Sequence, residues 1–133
     1  MSRCNRSGML KRLTIVAAVL LLAGTPVRAV EGGPAPFDND LARLSEILGA
    51  LHYLRGICNS KDGQKWREQM EALVDAEAPT GERKQKMVAS FNRGYRGFQQ
   101  TYRSCTPAAD IAIRRYLDEG ARISRDITAR YAN

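Results

Sequence analysis

The chain has 133 residues, of which 21 are basic and 14 acidic, for a formal net charge of +7. That length is enough for one domain. The charge invites a reading as a nucleic-acid binder, but its placement along the chain removes most of the support for it.

Residues 1–29 have the order and size of a secretory signal peptide. Arg3, Arg6, Lys11 and Arg12 form a basic start, residues 13–23 are an apolar run of eleven, and Val27 and Ala29 occupy the −3 and −1 positions of a cleavage site. A run this short cannot cross a bilayer, which takes roughly 20 apolar residues. Cleavage is expected after Ala29, which leaves no stable membrane span. No cysteine follows the apolar run, so the attachment site of a bacterial lipoprotein is missing; Cys4 leaves with the leader. The leader holds five basic residues and no acidic one, so the remainder carries sixteen basic and fourteen acidic residues, a net charge of +2.

Two cysteines remain, Cys58 and Cys105. Export implies an oxidising compartment, and two cysteines allow one intramolecular pairing, so a Cys58–Cys105 disulfide is expected. The alternatives are two buried free thiols or an intermolecular bridge. With 46 intervening residues, the chain-entropy account gives the bridge roughly 4 kcal/mol.

Residues 30–37, V-E-G-G-P-A-P-F, read as a flexible tether, and residues 38–133 as the helical domain. A first helix starts at Asp38 or Asp40 and runs to about residue 57; its acidic start suits the helix dipole. Leu41, Leu44, Ile47, Leu48, Leu51, Leu54 and Cys58 share one face at steps of 3 and 4. After a turn at residues 59–63, a second helix covers roughly 64–78, with Trp66, Met70, Leu73 and Val74 inward and Glu68, Glu71 and Asp75 outward. Pro79 and Gly81 stop it, and Thr80 is a candidate N-cap for the next.

The third helix, from near Glu82, contains the stretch around which the chain is expected to be organised, residues 87–105. Phe91, Tyr95, Phe98, Tyr102 and Cys105 form an aromatic row; Ser90, Gly94, Gly97, Thr101 and Ser104 form a small-residue row beside it. Arg93, Arg96 and Arg103 lie on its remaining, polar face. Thr106 and Pro107 then restart the chain as N-cap and first residue of a fourth helix. That helix runs to about residue 131, with Ile113, Tyr116, Leu117, Gly120, Ile123, Ile127 and Tyr131 inward. Its outer face is a ladder of i,i+4 pairs: Arg114/Asp118, Asp118/Arg122, Arg115/Glu119, Arg122/Asp126 and Asp126/Arg130. No stretch alternates with period two. The expected fold class is therefore all-α, four helices in an up-down-up-down bundle with one disulfide. In that topology the first and third helices end at the same end of the bundle, which suits the cysteine pairing.

Most conspicuous features have a plain structural explanation. The aromatic row Phe91, Tyr95, Phe98 and Tyr102 is read as core, with a ligand-facing stripe as the alternative. Gly94 and Gly97 each cost roughly 1 kcal/mol in a helix, which close packing of a neighbouring helix would offset. His52, the only histidine, lacks companions for a metal site. No C-x-x-C-H haem motif is present, and Glu68, Glu71 and Asp75 on one outward face do not resemble a catalytic carboxylate pair. No G-x-S-x-G, P-loop or dinucleotide fingerprint occurs, and no cofactor is expected. Arg93, Arg96 and Arg103 lack the interleaved aromatics of single-strand nucleic-acid binders.

The segments F-N-R-G-Y-R-G-F-Q-Q-T-Y-R-S-C-T-P-A-A, R-Y-L-D-E-G and L-H-Y-L-R-G-I-C, the last at residues 51–58, resemble a family of small exported alphaproteobacterial proteins of uncharacterised function. The resemblance covers the domain after the leader. It implies a Gram-negative periplasmic location and supplies no activity and no catalytic residue.

The expected function is a non-enzymatic interaction or accessory protein of the cell envelope. Its partner would be an envelope protein or an anionic polymer, met through Arg93, Arg96 and Arg103. The alternative is a carrier or sensor of a small apolar ligand held against Phe91, Tyr95, Phe98 and Tyr102; an enzyme comes last.

Overall fold

The computed structural model describes residues 35–131, Pro79 excepted. The leader and residues 30–34 of the tether lie outside the described residues. Four helices make up nearly all of the rest: α1 (Asp38–Ile57), α2 (Gly63–Glu77), α3 (Gly81–Thr101) and α4 (Pro107–Tyr131). There is no strand among the described residues, so the fold is all-α.

The helix ends follow local chemistry. Asp38 accepts a hydrogen bond from the Ala35 N–H at 2.9 Å and pairs with Arg83 at 2.7 Å. Phe37 lies against Tyr131, ring centroids 5.0 Å apart, so the last residues of the supposed tether are fastened to the domain. After α1 the chain reverses through Asn59, held at φ 55°, a region Asn tolerates better than most residues. Gly81, at φ 83°, opens α3, and the Thr80 side chain makes no cap hydrogen bond. Thr106 does cap α4: its hydroxyl accepts from the Ala109 N–H at 3.1 Å, with Pro107 at the first helical position as expected.

The organising element is α1, not α3. It packs against all three other helices, whereas α2 and α3 touch briefly and no further pair comes into close backbone packing. Its sequence explains this. The predicted stripe Leu41, Leu44, Ile47, Leu48, Leu51 and Leu54 is buried, and so are Ala42, Ser45, Gly49 and Ala50 around the rest of the circumference. A helix that is apolar or small over most of its circumference, with Arg43 and Glu46 on the arc left partly open, belongs in the middle. Pairs along its length set the directions. Arg83 meets Asp38 near the start of α1, and Cys105 meets Cys58 just past its end, so α3 runs parallel to α1. Gly63 lies beside Gly56 while Val74 and Ala78 join Leu41 in one apolar cluster, so α2 runs the other way. Arg43 meets Glu119 and Phe37 meets Tyr131, so α4 does too.

The α1–α3 contact is built on two matching motifs, Ser45-x3-Gly49 and Ser90-x3-Gly94. All four residues are buried. A Cβ added at Gly49 would lie 2.0 Å from the Phe91 carbonyl oxygen, and one added at Gly94 would lie 2.0 Å from that of Glu46. Only glycine allows backbones this close. The buried Ser45 hydroxyl is satisfied by donating to the Leu41 carbonyl at 2.7 Å.

The small-residue row does not continue as expected. Gly97 has nothing within 4 Å of where a Cβ would be, and Thr101 and Ser104 are exposed. The reason lies one turn further along α1. Tyr53 stands between the two helices, edge-on to Tyr95 with centroids 5.3 Å apart, and its hydroxyl donates to the Tyr102 carbonyl. This ring spreads the helices where glycines no longer bring them together. The same turn ends α3 at Thr101, short of Cys105: Tyr102 is extended at φ −119°, ψ 122°, and Thr106 precedes a proline, which disfavours helix there. Cys105 is therefore out of phase with the aromatic row and exposed, and it reaches Cys58 from a loop. The disulfide joins the two with a Cα–Cα distance of 4.7 Å.

Candidate functional site

The structure distributes the sequence-predicted site residues over several places. The aromatic row is half-buried throughout and divides in two. Phe91 and Tyr95 flank His52, with centroids 5.9 and 5.5 Å from its ring. The His52 Nδ1 is 2.9 Å from the Gly63 carbonyl, so it donates there and ties α1 to the start of α2. Phe98 stacks on Tyr102 at 5.9 Å and meets Tyr116 of α4 edge-on at 5.4 Å. These rings bridge helices whose backbones stay apart.

Arg93, Arg96 and Arg103 are all exposed, but only Arg93 and Arg96 are on α3; Arg103 lies in the loop beyond Thr101, not on the expected helix face, because the helix ends before the Thr106–Pro107 restart. Arg93 donates to Glu46 at 3.2 Å while remaining 62% exposed. Arg96 and Arg103 are exposed, with no ion-pair partner among the described residues. The acid row of α2 does not converge on anything: Glu68, Glu71 and Asp75 are exposed, and Glu71 pairs with Arg67 at 3.2 Å.

Of the expected ladder on α4, the structure forms Arg122–Asp126 at 3.4 Å. Glu119 instead takes Arg43 of α1 in a two-pronged contact, Nε to Oε1 at 2.8 Å and Nη2 to Oε2 at 3.0 Å. A bidentate guanidinium outcompetes the single i,i+4 contact that Arg115 would offer. The hydrogen bond from Arg43 pulls the Glu119 carboxyl below its ordinary range, and Glu119 in turn raises the Arg43 guanidinium further. A second pair, Arg55–Asp62 at 2.7 Å, fastens the α1–α2 turn. Its hydrogen bonds, from Arg55 first and then Ser60, hold Asp62 at about 2.

The hub arrangement leaves concave regions among the described residues. Because α2 and α4 both lean on α1 without packing on each other, a half-open trough of about 550 Å³ runs between them. Leu44, Ile47, Leu48 and Leu51 form its floor, and Trp66, Leu73, Ala76, Leu117, Gly120 and Ala121 are among its walls. On the α1 wheel this floor is opposite Ser45 and Gly49, so the trough is on the far side of α1 from α3. A smaller groove of about 370 Å³ lies between α3 and α4, where Phe98, Tyr102 and Tyr116 meet Arg43, Arg115 and Glu119. The large concavity therefore exists, but not against Phe91 and Tyr95. The sequence signal for it was the run of small residues beside the apolar stripes: Ala72 and Ala76 on α2, Gly120 and Ala121 on α4.

Cys58, Cys105 and Asp110 bring three ligand-type atoms within 4.8 Å of one another, but both sulfurs are in the disulfide and cannot act as thiolate ligands. No described helix is long and apolar enough to cross a membrane.

These features define a small, disulfide-stapled helical domain with a hub helix, exposed arginines on and just after α3, and a trough between α2 and α4. Residues 36–131 match the model of a family described as protein of unknown function, DUF2385. The chain belongs to that family. No curated protein and no solved structure matches it.

Proposed function

We propose that this is a non-enzymatic interaction or accessory protein of the Gram-negative cell envelope. It works in the periplasm after cleavage behind Ala29, and it meets an envelope protein or anionic polymer through the outer face of α3. The observation that supports this reading is the charge left uncompensated on that face. Arg83 is paired with Asp38 and Arg93 with Glu46, but Arg96 on α3 and Arg103 just past its end face solvent without ion pairs among the described residues. Such guanidinium groups suit bidentate contact with carboxylate or phosphate. Ser90 and Gly94 seat α3 on α1, with Arg93 at the edge of that contact beside Ser90 and Glu46 and Arg96 projecting to solvent.

Proximity labelling from the periplasm, comparing the wild type with a triple Arg93→Ala, Arg96→Ala, Arg103→Ala variant, tests the proposal. The expected result is a discrete labelled set that disappears in the variant. The same set in both proteins rules the α3 face out.

A further inference from the structure

The trough between α2 and α4 is a second surface, separate from the arginine face. α1 has helices on three sides, and on the fourth its leucines are covered only by side chains leaning in from α2 and α4. Between the larger side chains of Trp66, Leu73, Tyr116 and Leu117, the small Ala72, Ala76 and Ala121 line the trough and leave room there for another backbone to approach. Along α2 the trough extends from Trp66 to Ala76, about 15 Å at 1.5 Å per residue, or close to three helical turns.

The two banks carry opposite charge. Glu68 and Asp75 are four before and three after Ala72, and so are its surface neighbours on α2. Arg114 is three before Leu117 and Arg125 four after Ala121 on α4. All four are exposed and have no ion pair among the described residues. Lys65 is drawn over the Trp66 ring at 5.8 Å at one end. Asp118 lies between Arg114 and Arg125, which leaves that bank net positive.

We infer that the trough seats an amphipathic helix of a partner protein, about three turns long. Its apolar stripe at i, i+3 or i+4 and i+7 would lie over Leu44, Ile47, Leu48 and Leu51, with a basic flank toward Glu68 and Asp75 and an acidic flank toward Arg114 and Arg125. An acyl chain fits the apolar floor, but its anionic headgroup would meet the acidic bank at close range. A helix with flanks of both signs satisfies both banks.

The test places the photoreactive residue p-benzoylphenylalanine at Ala121 in the full-length protein in its own cells. Ala72 serves as a second trough position and Gln100, exposed on α3, as the control. The expected result is an adduct from the trough positions, not from position 100, whose crosslinked peptide has the helical apolar pattern with flanks of opposite sign. Glu68→Lys with Asp75→Lys should cut the adduct at least fivefold. Adding Arg114→Glu and Arg125→Glu should restore it, because a helix turned end for end presents its flanks exchanged. An adduct of lipid mass, an adduct of the chain with itself, no adduct at either trough position, the same peptide from position 100, or a yield indifferent to the charge reversals would overturn the inference.

Discussion

Gly94→Ala is the sharpest probe of the hub. In an ordinary exposed helix this change is favourable by about 1 kcal/mol. Here the added Cβ would sit 2.0 Å from the Glu46 carbonyl oxygen and 3.1 Å from the Ala50 nitrogen, atoms of a helix that cannot rotate out of the way. An ordinary contact requires α1 and α3 to separate by about 1–1.5 Å, and a gap of that size forfeits a quarter to a half, or more, of each neighbouring dispersion contact. Overpacking costs roughly 1–3 kcal/mol, and a clash with backbone belongs at the upper end. Against the propensity gain, the net loss is about 2 kcal/mol, or a fall in melting temperature of about 10 °C for a domain of this size. Gly97→Ala, one turn away with nothing within 4 Å, should instead gain up to about 1 kcal/mol. Thermal and urea unfolding followed by circular dichroism, with the disulfide intact, measures both. If Gly94→Ala matches or exceeds the wild type, or moves in the same direction as Gly97→Ala, the close-packed α1–α3 interface is wrong.

The remaining predictions concern the staple and the ion pairs. Replacing Cys58 and Cys105 together by serine should cost about 4 kcal/mol in urea unfolding, and intact mass after alkylation without reductant should show neither Cys58 nor Cys105 modified. Asp62, at about 2, and Glu119, also lowered, are both below their unfolded values near 4. Their stabilisation is therefore complete above that value and is lost as pH falls through the folded-state values; acid titration of Asp62→Asn should show a shallower loss than the wild type. Arg43 and Glu119 are about a third exposed, 37% and 32%. A double-mutant cycle with Arg43→Ala and Glu119→Ala should accordingly give a coupling of about 0.5–1 kcal/mol, and a coupling near zero would contradict the bidentate geometry.

Much of the fold could be read from local signals because those signals are local in origin. The Thr106–Pro107 start, the turn after residue 57 and the leucine stripe of α1 each depend on a few neighbouring residues. The disulfide was accessible through arithmetic and compartment rather than geometry. What periodicity could not provide was rank among the helices. The aromatic and glycine rows made α3 look central, yet α1 is central because Ala42, Ser45, Gly49 and Ala50 close the arc its leucines leave. Small residues carry little hydrophobic signal, so this second face was overlooked. Gly94 and Gly97 look equivalent in sequence and differ in space because Tyr53, on another helix, spreads the interface between them. Arg43 and Glu119, 76 residues apart, and the trough between α2 and α4 arise from how helices are placed relative to one another, which the spacing within any one helix does not encode.

The proposed role needs a firmly seated α3 that presents Arg93 and Arg96, with Arg103 just past its end, to an anionic partner. Co-sedimentation of the purified protein with the envelope fraction, measured across a salt series, tests this. The prediction is retention at low salt that falls as salt rises and is largely lost in the triple Arg93→Ala, Arg96→Ala, Arg103→Ala variant, with its melting curve unchanged. Equal retention of variant and wild type at every salt concentration would contradict it.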